Sequence, residues 1–248
     1  MQQAMSAFHS YAPDVRSFDR ENLRLIPISF RDVGFSGSLS GRREAILKRA
    51  ADIVLALGGL AVMGLPMLLI GLAIRLTSRG SALFRQERIG LHGRRFVMLK
   101  FRTMFHDLPT YGSLSPPGAI RQATRHDPRV TWIGGILRHT SLDELPQLLN
   151  VLEGSMSMVG PRPHAPGTCA AGRPFEAVTD TYAARHCVKP GLTGLAQVRG
   201  WRGETDTEEK LLRRIDSDLE YIATWSVAGD FRILWQTIVC VLRMPNAY

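Results

Sequence analysis

Asp143 and Glu144 are adjacent carboxylates in a neighbourhood of cations. Arg138 precedes them by one helical turn and a half, and Arg162 follows in Gly160-Pro161-Arg162-Pro163. Lys100 and Arg102 stand in Lys100-Phe101-Arg102-Thr103-Met104. Arginine offers phosphate a planar, two-pronged contact, and lysine offers a compact charge. Two carboxylates among such cations suit two chemistries. They can hold Mg²⁺ against a diphosphate, or one of them can attack phosphorus and form an acyl phosphate. A plainer reading stands beside these. Ser141 and Glu144 have the S-x-x-E spacing of a capping box, and acidic residues are favoured in the first turn of a helix. Each cation taken singly also reads as a solvated surface charge.

The elements that must position these groups are visible in the hydrophobic periodicity. Leu142, Leu145, Leu149 and Leu152 predict an amphipathic helix over Ser141 to Leu152, with Pro146 best tolerated near its start. Phe84 to Met104 mixes basic and apolar residues around Gly90 and Gly93, which suits a short hairpin. Leu108 to Gly118 is a Pro/Gly/Ser-rich loop, and the Arg-bearing stretches Val159 to Pro166 and Pro190 to Gly203 suit ligand-binding loops. Leu211, Leu212, Ile215, Leu219 and Ile222 predict a second amphipathic helix over Glu208 to Trp225. Inside it, Asp216-Ser217-Asp218 has the D-x-D spacing of a metal-binding pair, but both carboxylates are expected on the polar face and three-residue matches are common. Phe231 to Met244 is apolar with Trp235, and suits either a core or a membrane interface.

Upstream, Ile53 to Ile74 is a run of 22 residues without a charge. At ~1.5 Å per residue a straight helix of that length is roughly 33 Å long, enough to cross a bilayer. Both flanks are basic, with Arg42, Arg43, Lys48 and Arg49 before it and Arg75, Arg79, Arg85 and Arg88 after it. The positive-inside rule then draws both ends to one side. Pro66 lies within the run and removes a helical hydrogen bond. A helix broken at Pro66 that dips into the membrane and returns satisfies both observations and is favoured over a single span, and both over a buried core helix, which a run this long and apolar opposes.

The whole chain has 248 residues, 31 Lys and Arg against 22 Asp and Glu, a net charge of +9 and 45% apolar residues. This excludes a mostly disordered chain and a polytopic membrane protein, and it points to anionic partners. Three widely spaced cysteines exclude a disulfide scaffold and a C-x-x-C zinc site. Neither a P-loop nor a G-x-G-x-x-G turn is present. Residues 1–40 show no sustained periodicity and no signal-peptide apolar region, and read as a poorly ordered tail.

The motifs together resemble the bacterial sugar transferases, the monotopic polyprenyl-phosphate phosphoglycosyl transferases. The matching segments are KRAAD at 48–52 with the apolar run, FRQERIG at 84–90, KFRTM at 100–104, DPRVT at 127–131, LRHTSLDELPQLLNVLEGSMSMVGPRP at 137–163 and KPGLTGLAQVRGWRGET at 189–205. They cover roughly residues 46 to 245. The resemblance implies an α+β, predominantly helical, monotopic membrane protein. Residues 41–75 would form a re-entrant helix-break-helix, and residues 76–248 a cytoplasmic catalytic domain with interfacial amphipathic helices. Many members have Ser before the helix-breaking Pro, where this chain has Leu65.

The resemblance further implies transfer of a sugar 1-phosphate from a UDP-sugar to a polyprenyl phosphate at the cytoplasmic face of the bacterial inner membrane. Asp143 would be the nucleophile, Asp143 and Glu144 would support Mg²⁺, and Lys100, Arg102, Arg138 and Arg162 would contact phosphate. The loop Pro190, Gly191, Leu192, Thr193, Gly194 matches a segment near the active site. Gln197 to Thr207 most resembles members that transfer glucose 1-phosphate to undecaprenyl phosphate. Basic flanks imply contact with anionic lipids, and a homo-oligomer is left open. Two other classes are weighed: a membrane-anchored scaffold that has lost catalysis, which the intact carboxylates and arginines oppose, and a nucleic-acid binder, which rests on charge alone. No nucleic acid is expected as a partner.

Overall fold

The computed structural model describes residues 42–105, 127–203 and 205–243. The expected N-terminal tail and the loop at Leu108 to Gly118 lie outside these residues. The described chain is mostly helical, with three two-stranded sheets, in keeping with an α+β protein.

Helix α1 spans Arg42–Thr77 and is long and apolar enough to cross a membrane. Its secondary structure runs without interruption through Pro66, so the two separate helices expected on either side of that residue are not seen. A proline removes one of the helix's hydrogen bonds. Ala56 and Ile74 are fully buried, whereas Val54, Leu57, Val62, Leu65, Leu68 and Leu72 are exposed. The two halves pack on different parts of the remaining protein. Ala56 and Leu60 join Met98, Leu148 and Met156, while Met67, Ile70 and Ile74 join Phe101 and Leu137.

The first half is also pinned by polar contacts. Lys48 Nζ donates to Asp230 Oδ2 at 2.6 Å and to the Val159 carbonyl at 3.1 Å. Asp52 Oδ1 accepts from Ser157 Oγ and from the Met158 amide at 3.0 and 2.9 Å. Tyr221 and Trp225 donate to the same Asp230 carboxylate, so helix α1 is tied into the core by a satisfied buried network.

Strands β1 (Leu83–Ile89) and β2 (Arg95–Phe101) form the expected antiparallel hairpin, with Phe84 opposite Lys100 and the turn closed between Gly90 and Arg94. Helix α2 (Trp132–Thr140) is capped by Thr131, whose side chain accepts from the Gly134 amide. It ends at Ser141, which adopts a left-handed conformation at φ 59°. A 3₁₀ turn, Leu142–Glu144, and helix α3 (Gln147–Glu153) follow. The single helix expected over Ser141 to Leu152 is therefore two elements with Pro146 between them. Ser141 makes no side-chain cap, so the expected capping box does not form.

Strand β3 (Ser157–Val159) leaves α3 and pairs in parallel with β6 (Gly191–Thr193). The intervening chain holds the short pair β4 (Cys169–Ala170) and β5 (Arg173–Pro174), helix α4 (Phe175–Val178) and a 3₁₀ segment, Asp180–Cys187. After α5 (Leu195–Val198), helix α6 (Glu208–Ala223) appears as the periodicity predicts, burying Leu211, Ile215 and Ile222. Helix α7 (Val227–Arg243) buries Asp230 and Ile233 but exposes Phe231, Trp235, Ile238 and Leu242.

Candidate active site

The 3₁₀ turn delivers two carboxylates into unlike surroundings. Glu144 Oε1 accepts from Lys100 Nζ of β2 at 2.9 Å and from Arg162 Nη2 at 2.5 Å, and Oε2 accepts from Arg162 Nη1 at 3.1 Å. Burial opposes ionisation of Glu144, but the Arg162 and Lys100 charges outweigh it and hold the carboxyl well below its usual range. Asp143 is buried, and its carboxylate accepts no hydrogen bond among the described residues. Burial raises its pKa to about 6; Lys100 opposes that rise, the Glu144 charge adds to it, and Arg138 and Arg162 oppose it further. One carboxylate is neutralised by the protein. Its neighbour is left basic and unpaired, the kind of divergence that separates roles in an active site.

Arg162 owes its place to backbone packing. It follows β3, where the Gly191 amide donates to the Pro161 carbonyl at 2.9 Å and the Gly160 amide donates to the Thr193 carbonyl at 2.9 Å. A side chain at Gly191 would collide with the Gly160 backbone, so this close approach requires glycine. Pro190, Gly191, Thr193 and Gly194 are all buried here, and Thr193 Oγ1 bonds Thr237 Oγ1 at 2.7 Å. The segment thus lies behind Arg162 as its support.

The other cations divide. Arg138 donates from Nε to Thr103 Oγ1 at 2.9 Å and is close enough to Asp143 to favour its ionised form. Arg102 is buried and spends its guanidinium on Ser78 and Arg79, closing the chain that leaves α1. It is not brought to the carboxylate pair. Arg88, which the motif reading did not single out for the site, is near both Arg162 and Glu144. Arg202 donates to Ser141 Oγ at 2.8 Å, at the base of the Asp-Glu turn. The D-x-D pair does not lie on one polar face: Asp216 is exposed, but Asp218 is buried against Arg185.

No group of three or more His, Cys, Asp or Glu able to hold a metal occurs among the described residues. A Mg²⁺ ion caged by protein ligands alone has no site there. Mg²⁺ bound through one or two carboxylates and completed by substrate phosphates and water fits the Asp143 oxygens, which carry no hydrogen bond from the described residues, with Glu144 beside them.

An apolar helix long enough to cross a membrane, a hairpin, and an Asp-Glu turn whose Glu144 is clasped by Lys100 and Arg162 are the features that suggest a membrane-associated class of protein. The family model for bacterial sugar transferases matches residues 43–244, and the chain belongs to that family. It is 45% identical over 228 residues to the UDP-glucose:undecaprenyl-phosphate glucose-1-phosphate transferase of Escherichia coli K12, covering 91% of this chain and 47% of that protein. The chain thus spans about half the length of that relative. It is 49% identical over 203 residues to the protein of the same name from Caulobacter vibrioides, covering 81% of this chain and 72% of that one. Identity to the UDP-galactose-lipid carrier transferase of Erwinia amylovora is 36% over 225 residues, covering 86% of this chain and 44% of that protein.

Proposed function

We propose that this chain transfers glucose 1-phosphate from UDP-glucose to undecaprenyl phosphate, giving undecaprenyl-diphosphoglucose and UMP, the lipid-linked starting unit of an exopolysaccharide or other surface glycan. The observation that carries the reading is the unpaired, buried carboxylate of Asp143 beside a Glu144 already neutralised by Lys100 and Arg162. Identities of 45% and 49% to relatives named for this glucose transfer, against 36% to one named for galactose, support the choice of sugar.

In the first step an Asp143 oxygen attacks the phosphorus that bears the sugar. The bond from that phosphorus to the bridging oxygen breaks, and the electron pair leaves on UMP. In the second step an oxygen of undecaprenyl phosphate attacks the same phosphorus, and the Asp143 oxygen–phosphorus bond breaks to restore the carboxylate. Lys100, Arg138 and Arg162 lower the cost of bringing an anionic donor to an anionic nucleophile. Mg²⁺, held by Asp143 and Glu144 with the donor phosphates, would supply further charge neutralisation. Glu144 orients Arg162 and Lys100 through its three hydrogen bonds.

The lipid acceptor requires a membrane-seated site. Both halves of α1 rest on the same catalytic unit, which supports a re-entrant α1 that bends at Pro66 and returns to the cytoplasmic face. The exposed Trp132 and Ile136 of α2 and Phe231, Trp235 and Leu242 of α7 suit the interface with anionic lipids. Single cysteines placed before Ile53 and after Ile74 will then both be labelled from the cytoplasmic side only; labelling from opposite sides would contradict this topology.

The test of the function is UMP release. Purified protein with Mg²⁺ and UDP-glucose will release UMP and form a lipid-linked product that depends on undecaprenyl phosphate. UDP-galactose and N-acetylated UDP-sugars will turn over at least tenfold more slowly, on the order of what one misplaced hydroxyl costs. Folded protein that turns over none of these sugars would favour a non-catalytic scaffold.

A further inference from the structure

Arg185 and Asp218 are almost fully enclosed, with side chains 1% and 3% exposed. Arg185 donates from Nε and Nη2 to Asp218 Oδ2 at 3.0 and 2.6 Å. The same Nη2 donates to the Arg162 carbonyl at 2.7 Å, and Nη1 donates to His164 Nδ1 at 2.7 Å. A guanidinium only donates, so His164 accepts at Nδ1 and carries its proton on Nε2. Burial, with the Arg185 charge, keeps that imidazole neutral far below its ordinary range. Two further contacts hold the same stretch: Arg88 Nη1 reaches the Pro163 carbonyl at 3.5 Å, and the Ile89 amide donates to the His164 carbonyl at 3.0 Å. Three consecutive carbonyls, 162 to 164, are thus held from outside, and the Arg162 side chain projects from this braced backbone onto Glu144.

The surroundings are strongly cationic. Arg88 and Arg214 both lie near Arg162, and neither has a carboxylate within ion-pair distance among the described residues. Asp218 supplies the buried countercharge at this end of the cluster. An arginine is required at 185, because a lysine has no planar fork with which to meet a carboxylate, a carbonyl and an imidazole together.

We propose that the Asp218–Arg185 pair is a positioning device for catalysis: it fixes the Arg162 backbone so that the Arg162 guanidinium grips Glu144 with both prongs beside Asp143. Neither residue touches substrate. The catalytic part of this inference rests on the proposed transfer reaction; the mechanical part does not.

Two measurements test it. In the transfer assay, Arg185→Lys and Asp218→Asn lower kcat by about 10- to 100-fold, the range seen when residues that orient a site's contacting groups are lost. KM for UDP-glucose changes much less. In an Arg162→Ala background the same changes cost less than about twofold, because their effect is already spent. Independently of turnover, the Tm losses of Asp218→Asn and Glu144→Gln sum to about 2–4 °C more than the loss of the double variant, although the two side chains share no direct contact. Full losses of kcat in the Arg162→Ala background, or strictly additive Tm shifts, would overturn the proposal. If wild-type protein transfers no sugar phosphate, the reaction is wrong, and the Tm cycle still decides whether the brace exists.

Discussion

Two acidic pairs in this chain have nearly the same composition and opposite fates. Asp143-Glu144 sits on a 3₁₀ turn between α2 and α3, and Asp216-Ser217-Asp218 sits within α6. On the turn, one carboxylate receives three cationic hydrogen bonds, and the other is buried without any from the described residues. On the helix, one carboxylate is closed into an ion pair with Arg185 and the other faces solvent. Burial is common to Asp143 and Asp218, and Asp218 is the more enclosed; what separates them is the ion-pair partner that Asp218 has and that Asp143 lacks among the described residues.

Substitutions can break this comparison, and the largest effect falls on the turn. Asp143→Asn will abolish sugar phosphate transfer, a loss of about 10³-fold or more, in line with removal of a nucleophile. Circular dichroism will stay unchanged. On the helix the largest effect is on folding. Asp218→Asn leaves Arg185 buried without its countercharge and will cost about 3–5 kcal/mol in denaturant unfolding.

The pH dependence sharpens the contrast. As the proposed nucleophile Asp143 acts when ionised, and burial raises its pKa to about 6, so kcat/KM will fall as pH drops through about 6. Lys100 favours the ionised form and Glu144 disfavours it. Lys100→Met will therefore move that acid limb upward and Glu144→Gln will move it downward. Limbs that shift together would contradict the assignment.

Stability should respond in the opposite sense to activity at Asp143. Its folded pKa of about 6 lies above the unfolded value of 3.8, so the wild type holds its full contribution below the unfolded pKa and loses it as pH rises through 6. At pH 8 Asp143→Asn, which cannot ionise, will unfold at a higher temperature than the wild type. At pH 4 that advantage will have largely gone. The smallest effect is expected at Asp216, where Asp216→Asn will change turnover by less than about twofold and stability by less than about 0.5 kcal/mol.

The legible parts of this molecule are those set by local pattern. The hairpin around Gly90 and Gly93, the apolar run of α1 and the periodic face of α6 follow from residue spacing. The Asp143-Glu144 turn does not. Its leucines suggest one helix, but Ser141 turns left-handed and Glu144 is drawn away from the helix end by Lys100 and Arg162. Arg102 shows a related failure. Its place beside Lys100 in KFRTM suggests a phosphate contact, yet β2 ends at Phe101 and Arg102 turns to the carbonyls after α1. Arg185 and His164 lie in no motif segment, and Lys48, the first residue of KRAAD, has its partner outside that motif. Their partners lie 33, 21 and 182 residues away, and a buried pair at such separation leaves no periodic trace. What identified Asp143 was the long central segment as a whole rather than the S-x-x-E spacing, which pointed to a cap.

Covalent trapping tests the central claim most directly. Purified protein is incubated with Mg²⁺ and UDP-glucose labelled in its β-phosphate, without lipid acceptor, then denatured and examined for label on the chain. The account predicts label on the wild-type protein, its discharge on adding undecaprenyl phosphate before denaturation, and none on Asp143→Asn. Label that persists on Asp143→Asn, or lipid product formed by Asp143→Asn at the wild-type rate, would contradict it.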